Sequence, residues 1–304
     1  MSYIEAGRAT LSISAVERET GLSKDTLRVW ERRYSFPEPG RDANGERVYS
    51  RDQVNKLRVL KRLIDTGHRP SRVVGRSFEE LLALAEPSAV VAEAPPEHAQ
   101  ILDLLRTHDV SGLRQALAAT LLRQGLSGFL LETVGPLNRQ VGEAWTRGQL
   151  EIFEEHLYTE TLQRVLRNAL GALPPRAEPP RCLLTTFPGE LHGLGLLTAE
   201  GMLALEGAAC TSLGTQTPIQ DIVRAASSHG ADVVALSFSL AYPVSQALDG
   251  LAALRAQLDP RIEIWAGGTN PGLARRGVEG VRALPELAAV PGAVARWRED
   301  HSGA

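Results

Sequence analysis

Cys182-Leu183-Leu184-Thr185-Thr186-Phe187, then Pro188-Gly189, then Glu190-Leu191-His192-Gly193-Leu194-Gly195, is the stretch whose reading decides the fold. A short apolar run closed by Pro and Gly reads as a buried strand. An acid, a histidine two residues on and a glycine three further stand where that strand should turn into a helix. The pattern repeats downstream. Strands are predicted at 182–187, 209–213, 232–238, 262–266 and 281–284, with helices near 193–206, 218–229, 244–257, 270–277 and 285–298. Strict alternation of strand and helix implies a parallel, doubly wound sheet, Rossmann-like or flavodoxin-like, that binds ligands at its carboxyl edge. This domain is placed at 181–298.

Upstream the period changes to that of helices. Residues 97–172 read as four helices, broken near His108-Asp109, Gly125 and Gly148. That is a four-helix bundle, bounded at 97–174 and joined to the sheet domain by the proline-rich 173–180. Residues 77–96 form a linker with a helical stretch around Glu79–Leu84. No internal repeat is present.

Residues 1–76 form a separate basic head, with 16 Lys/Arg against 10 Asp/Glu and a balance of +6, on a body of balance −9. Only the head is suited to a polyanion. Ser12 or Ser14 can cap a first helix that Gly21 ends, and Ser23 caps a second whose apolar stripe is Leu27 and Trp30. Pro37, Pro39, Gly40 and Gly45 forbid helix, so 36–47 is a loop or wing. A third helix runs from Ser50 to Thr66 with Val54, Leu57, Leu60 and Ile64 on one face, and Pro70 opens a short one to about Arg76. Helix, glycine turn, helix is the helix-turn-helix pattern. On the second helix Arg28 and Arg32 share a face, and Lys24 lies one turn earlier. Cys182 and Cys210, both expected in buried strands, are read as reduced thiols. No apolar run is long enough to span a membrane and the start does not read as a signal peptide, so a cytoplasmic protein is expected.

The head resembles the MerR family of transcriptional regulators over residues 11–72. The shared motif is Thr26-Leu27-Arg28-Val29-Trp30-Glu31-Arg32-Arg33-Tyr34, then Phe36-Pro37-Glu38-Pro39, Arg41 and Gly45-Glu46-Arg47-Val48-Tyr49-Ser50. The resemblance implies a DNA-binding set of Lys24, Thr26, Arg28 and Arg32 at the recognition helix and Arg41, Arg47 and Tyr49 in the wing. Glu46 stands at the wing position where the family usually has Tyr or His. The resemblance also implies a dimer on palindromic double-stranded operator DNA. No sustained heptad follows the head, so self-association (dimer or tetramer) is assigned to the C-terminal part.

Glu190-Leu191-His192-Gly193-Leu194-Gly195 resembles the D/E-x-H-x-x-G loop of cobalamin-binding domains. There the histidine ligates cobalt from below, the acid fixes its tautomer, and the glycine admits the corrin tail. Trp145, with His156 eleven residues on and Glu155 before it, resembles the W-x9-E-H motif of the CarH/LitR type of cobalamin-dependent, light-responsive repressors. That resemblance gives Trp145, Glu155 and His156 to the upper face and its adenosyl group. It gives Gly214, Ser237 or Ser239, and Gly267-Gly268 to the loops around the displaced dimethylbenzimidazole tail, Ser237 being the better match. His192 is the cobalt ligand it implies. Thr146 follows the capping Trp where some light-sensing members carry a second histidine.

The sequence is thus expected to be a non-enzymatic repressor: adenosylcobalamin-bound and oligomeric on DNA in the dark, released when light cleaves the Co–C bond. The alternatives are a light-independent regulator using methylcobalamin or an antirepressor protein, a corrinoid methyl carrier, and a sensor with a bilin beside or instead of cobalamin.

Overall fold

The computed structural model describes residues 10–65, 67–85, 96–174, 178–269 and 271–302. Residues 86–95, half of the expected linker 77–96, and residues 175–177 of the second lie outside the described residues. The chain gathers into two compact units, Met1–Glu93 with Gln140–Glu155 and Ala94–Arg139 with His156–Ala304.

In the first unit, α1 (Ile13–Thr20) is capped by Ser12, whose Oγ accepts from Ala15 N, and ends at Gly21 with φ 68°. Only glycine adopts that left-handed turn without strain. Helix α2 (Lys24–Tyr34) is capped by Ser23 in the same manner. Strands β1 (Thr10–Ser12), β2 (Gly40–Arg41) and β3 (Arg47–Ser50) form an antiparallel wing in the order β1-β3-β2. β1 was not foreseen; three residues are too few for a period, and the pairing with β3 alone defines them. Helices α3 (Arg51–Asp65), α4 (Pro70–Val73) and α5 (Phe78–Ala85) complete this part. Val16, Leu27, Trp30, Tyr49, Val54, Leu57, Leu60 and Leu81 form its core.

Helices α6 (Pro96–Arg106), α7 (Val110–Gly128), α8 (Gly135–Thr146) and α9 (Ile152–Gly171) are the four expected from the pattern. Gly125 bends α7 at φ 68°, and a π-helical turn, Phe129–Val134, leads into α8. Gly148, φ 70°, turns the chain between α8 and α9.

The sheet has five parallel strands, β4 (Glu178–Thr185), β5 (Ala208–Gly214), β6 (Val233–Phe238), β7 (Glu263–Gly268) and β8 (Val281–Leu284), in the order β5-β4-β6-β7-β8. Helices α10 (Leu194–Leu205), α11 (Ile219–Ser228), α12 (Val244–Gln257), α13 (Pro271–Arg276) and α14 (Val290–His301) connect and cover it. The sheet reverses direction of growth between β4 and β6, the switch point at which such folds bind ligands. β4 starts at 178, not 182, and ends at Thr185. Two prolines sit inside it because a register shift between Glu178 and Arg181 relieves the ladder there. Gly201 of α10 lets the bundle approach: a Cβ there would meet Leu130 at 2.8 Å and Leu170 at 3.7 Å. Cys182 and Cys210 are register partners on β4 and β5, both free thiols, and burial pushes both pKa values up. Cys210 is only half-buried, less than expected. No helix among the described residues is long and apolar enough to cross a membrane.

Candidate functional site

At the switch point the loop after β4 and the loop after β6 meet on one carboxylate. Glu190 is 1% exposed. Its Oε1 accepts from the backbone N–H of His192 at 2.9 Å and from His192 Nδ1 at 2.7 Å. Its Oε2 accepts from Ser239 N–H at 2.8 Å and Ser239 Oγ at 2.8 Å. Burial raises the carboxyl pKa, but these donors from His192 and Ser239 outweigh it and hold the group below the usual range. Glu190 therefore stays ionised, and a proton on Nδ1 puts the imidazole lone pair on Nε2. The His192 ring is 62% exposed while its anchor is buried. A fixed, outward imidazole is what a metal arriving with its own equatorial ligands requires.

The two candidate serines do different work. Ser239 takes part in the Glu190 cluster. Ser237, on β6, lies against α10, where a Cβ at Gly195 would come within 2.6 Å of its Oγ. Gly195 is therefore needed for helix–strand approach, whatever else it admits. Gly214, φ 76°, has nothing within 4 Å of a would-be Cβ, an open position on the sheet edge. Gly268, φ 123°, would drive a Cβ to 1.9 Å from Phe238 O. A Cβ on Gly267 would come to 3.1 Å from Leu284 O. The pair thus closes the β6–β7–β8 edge.

Sequence reading missed the threonines that shape this loop. Thr186, fully buried, donates from Oγ1 to Glu190 O at 2.8 Å and accepts from Gln216 N at 2.9 Å. Thr185 bonds Gly214 O at 2.9 Å and Thr217 Oγ1 at 2.7 Å. The Glu190 turn is thereby tied to the loop after β5. Two threonines ending an otherwise apolar run were the available signal.

Trp145, Glu155 and His156 stand at the α8–α9 corner. Glu154 Oε2 accepts from Glu151 N at 2.6 Å, so this acid caps α9. The half-buried Trp145 ring lies against the Arg58 guanidinium, 4.7 Å from its centroid. Thr146 is 4% exposed and donates to Gly142 O at 2.6 Å, so its hydroxyl is used within its own helix.

On the head, Arg28 and Arg32 project from α2 as exposed side chains, Arg28 beside Asp25 at 3.0 Å. Thr26 Oγ1 shares a 2.8 Å hydrogen bond with Ser23, and Lys24 lies 3.8 Å from Glu17. Arg41 closes the wing turn on Gly45 O at 2.6 Å. Arg47 pairs with Glu31 at 3.0 Å, which raises its pKa and ties wing to recognition helix. Tyr49 corrects the expectation of a wing contact: its side chain is 0% exposed. The alternation along β3 turns it into the core, since its strand neighbours face outward.

Residues 11–75 match the family of MerR HTH family regulatory proteins, and residues 98–169 and 180–290 match two B12 binding domain families. The chain is 34% identical over 242 residues to the HTH-type transcriptional repressor CarA of Myxococcus xanthus, covering 75% of this chain and 76% of that protein. It is 30% identical over 267 residues to the HTH-type transcriptional repressor CarH of the same organism, covering 85% and 89%. Among solved structures, the Methanosarcina barkeri monomethylamine corrinoid protein matches with 15% identity and a TM-score of 0.49, over 65% of this chain and 96% of that one. With a MerR-type winged head, two B12-binding segments and relatives alike over most of their length, the chain belongs to the MerR-family regulators that carry a C-terminal B12-binding domain, the family of CarA and CarH.

Proposed function

We propose that the protein is a cobalamin-dependent transcriptional repressor of the cytoplasm, light-responsive through adenosylcobalamin and active on operator DNA as a homo-oligomer. Residues 1–76 read DNA in this assignment, and 97–174 with 181–298 hold the cofactor. The observation that carries the reading is Glu190, a buried carboxylate holding His192 Nδ1 at 2.7 Å at the switch point of the sheet. His192 would be the lower cobalt ligand. Glu190 holds the proton on its far nitrogen, and Ser239 holds Glu190. Gly214, Ser237, Gly267 and Gly268 would border the tail, and Trp145, Glu155 and His156 would meet the upper group. When bound, adenosylcobalamin supplies a cobalt–carbon bond weak enough for green light to break.

Arg28, Arg32 and Arg41 are exposed for phosphate or base edges, with Lys24, Thr26 and Arg47 beside them. One head binds weakly; heads joined in an oligomer can gain roughly 100- to 10,000-fold. Loss of the oligomer is then loss of repression.

The test is the absorption spectrum of purified protein with adenosylcobalamin before and after green light, with size-exclusion of both samples. A bound-cobalamin spectrum and a light-dependent change of elution volume are expected, and His192→Ala should abolish uptake or change the spectrum. A mutant with the wild-type spectrum would remove His192 as ligand. An unchanged elution volume would reject the light switch. A second reading, a light-independent regulator acting through methylcobalamin or an antirepressor, is favoured by Thr146, whose internally bonded hydroxyl offers no second strong ligand.

A further inference from the structure

Helix α3 of the head carries a buried cation that DNA binding does not use. Arg58 is 2% exposed among the apolar residues of that helix. Its Nη2 pairs with Glu19 at 2.7 Å, and its Nη1 donates to Asn55 Oδ1 at 3.2 Å and to the carbonyl of Trp145 at 3.3 Å. The same guanidinium lies against the Trp145 ring. Around this centre Arg51 bridges Glu19 and Glu151, Arg62 faces Glu143 at 3.9 Å, and the Gly148 turn rests on the Asn55 side chain. The corner between α8 and α9 is therefore built into the head's compact unit, with Trp145 at its centre.

We infer that Arg58 is a positioning residue that fastens the Trp145 corner to the DNA-binding head, so that a ligand group engaging Trp145 acts on the head directly. The inference rests on the assignment of Trp145 to the upper group of cobalamin. It adds a route of regulation to that assignment. Three features support it. The contact is bidentate in kind, a carbonyl hydrogen bond plus ring stacking, so it fixes orientation as well as proximity. Glu19 anchors Arg58 while keeping Arg51 as a second partner, so the carboxylate does not depend on Arg58 alone. Arg58 Nε and Trp145 Nε1 are buried with no hydrogen-bond partner among the described residues. A contact that leaves two donors unanswered is ill-suited to stability alone.

Coupling between two ligands is reciprocal. In the wild type, a duplex selected by the full-length protein from random-sequence DNA should change the affinity for adenosylcobalamin, and adenosylcobalamin should change the affinity for that duplex by the same factor. On a duplex cut down to a single half-site, so that the avidity of joined heads is not read, both effects should shrink in Arg58→Met to within about twofold, while cobalamin and the duplex each still bind. Arg58→Lys keeps a cation for Glu19 but not the planar stack. It should keep the melting temperature of the wild type and still lose the linkage, which separates positioning from simple stability. A structural readout runs in parallel. In Arg51→Lys, a carbodiimide should join Lys to Glu151 with equal yield in the cobalamin-free and cobalamin-loaded protein, because corner and head travel together. Undiminished linkage in both Arg58 variants, or a cross-link that vanishes on loading, overturns the inference. Failure to take up cobalamin at all would instead reject the proposed function.

Discussion

The sheet edge around His192 and the α8–α9 corner around Trp145 are built on opposite principles. At the sheet edge, Glu190, His192 and Ser239 come from loops that the sheet itself brings together, and the donors that His192 and Ser239 give the carboxylate are local to that fold. The corner has no such frame. It leans on Arg51, Arg58 and Arg62 of the head, and Thr146 spends its hydroxyl on its own helix. The difference teaches where rigidity and response belong. On the proposed assignment, His192 would need a fixed imidazole to ligate a metal, whereas Trp145 would gain from being tied to the part that must respond.

The comparison breaks most visibly at Glu190. Glu190→Gln keeps the shape but loses the charge that orients His192. Cobalamin affinity should fall about 10- to 100-fold, the usual effect of losing a ligand's hydrogen-bond partner. Titration of the apoprotein followed by absorption checks this. An unchanged affinity would mean that His192 needs no orienting, and the contrast between the two regions would fail.

Arg28→Ala or Arg32→Ala should cost operator affinity by about 1–3 kcal/mol for a base-reading contact, with cobalamin uptake untouched. Gel-shift titration at two salt concentrations should also show steep weakening with salt. Native affinity in both mutants would displace the recognition face from α2.

Trp145→Ala sharpens the other half. Preference for adenosylcobalamin over smaller cobalamins should drop by about 0.5–1.5 kcal/mol, the worth of an aromatic contact. Equal weakening for every cobalamin would make Trp145 a packing residue of the corner only.

Acid should reach the sheet edge late, after carboxylates such as Asp65 and Glu200 whose pKa burial raises. Glu190 has its pKa depressed in the folded protein, so its contribution to stability is complete above the ordinary carboxylate value of about 4.3 and is lost as pH falls through the depressed one. His192 orientation, followed by cobalamin affinity, should hold through mild acid as far as Glu190 governs it. The smallest effect lies at Thr146. The irradiated holoprotein should have an aquo-like spectrum, or reach a bis-imidazole form only slowly through His156. A fast bis-imidazole spectrum that survives His156→Ala would show that another side chain reaches cobalt.

Local pattern made much of this legible. Strand–helix alternation foretold the five parallel strands, because a strand buried on both faces is written as a short apolar run bounded by turn residues. Ser12, Gly21 and Ser23 bounded the head helices because caps act within three residues of themselves. Glu190 and His192 were readable since they stand two apart on one turn. Tyr49 was misread as a wing contact, for four residues of strand do not reveal which face is covered.

The sequence by itself carried the helix-turn-helix pattern, the alternation of strands and helices and the spacing of Glu190 and His192, all written in residues near one another in the chain. Only the tertiary structure decided that Ser239 rather than Ser237 holds Glu190, that Gly195 is small on account of Ser237, and that Trp145 lies on Arg58, eighty-seven residues away. Those contacts join segments whose separation in sequence carries no period. They are chosen by the packing of whole elements, where a buried charge or donor must find its partner wherever the fold has placed one.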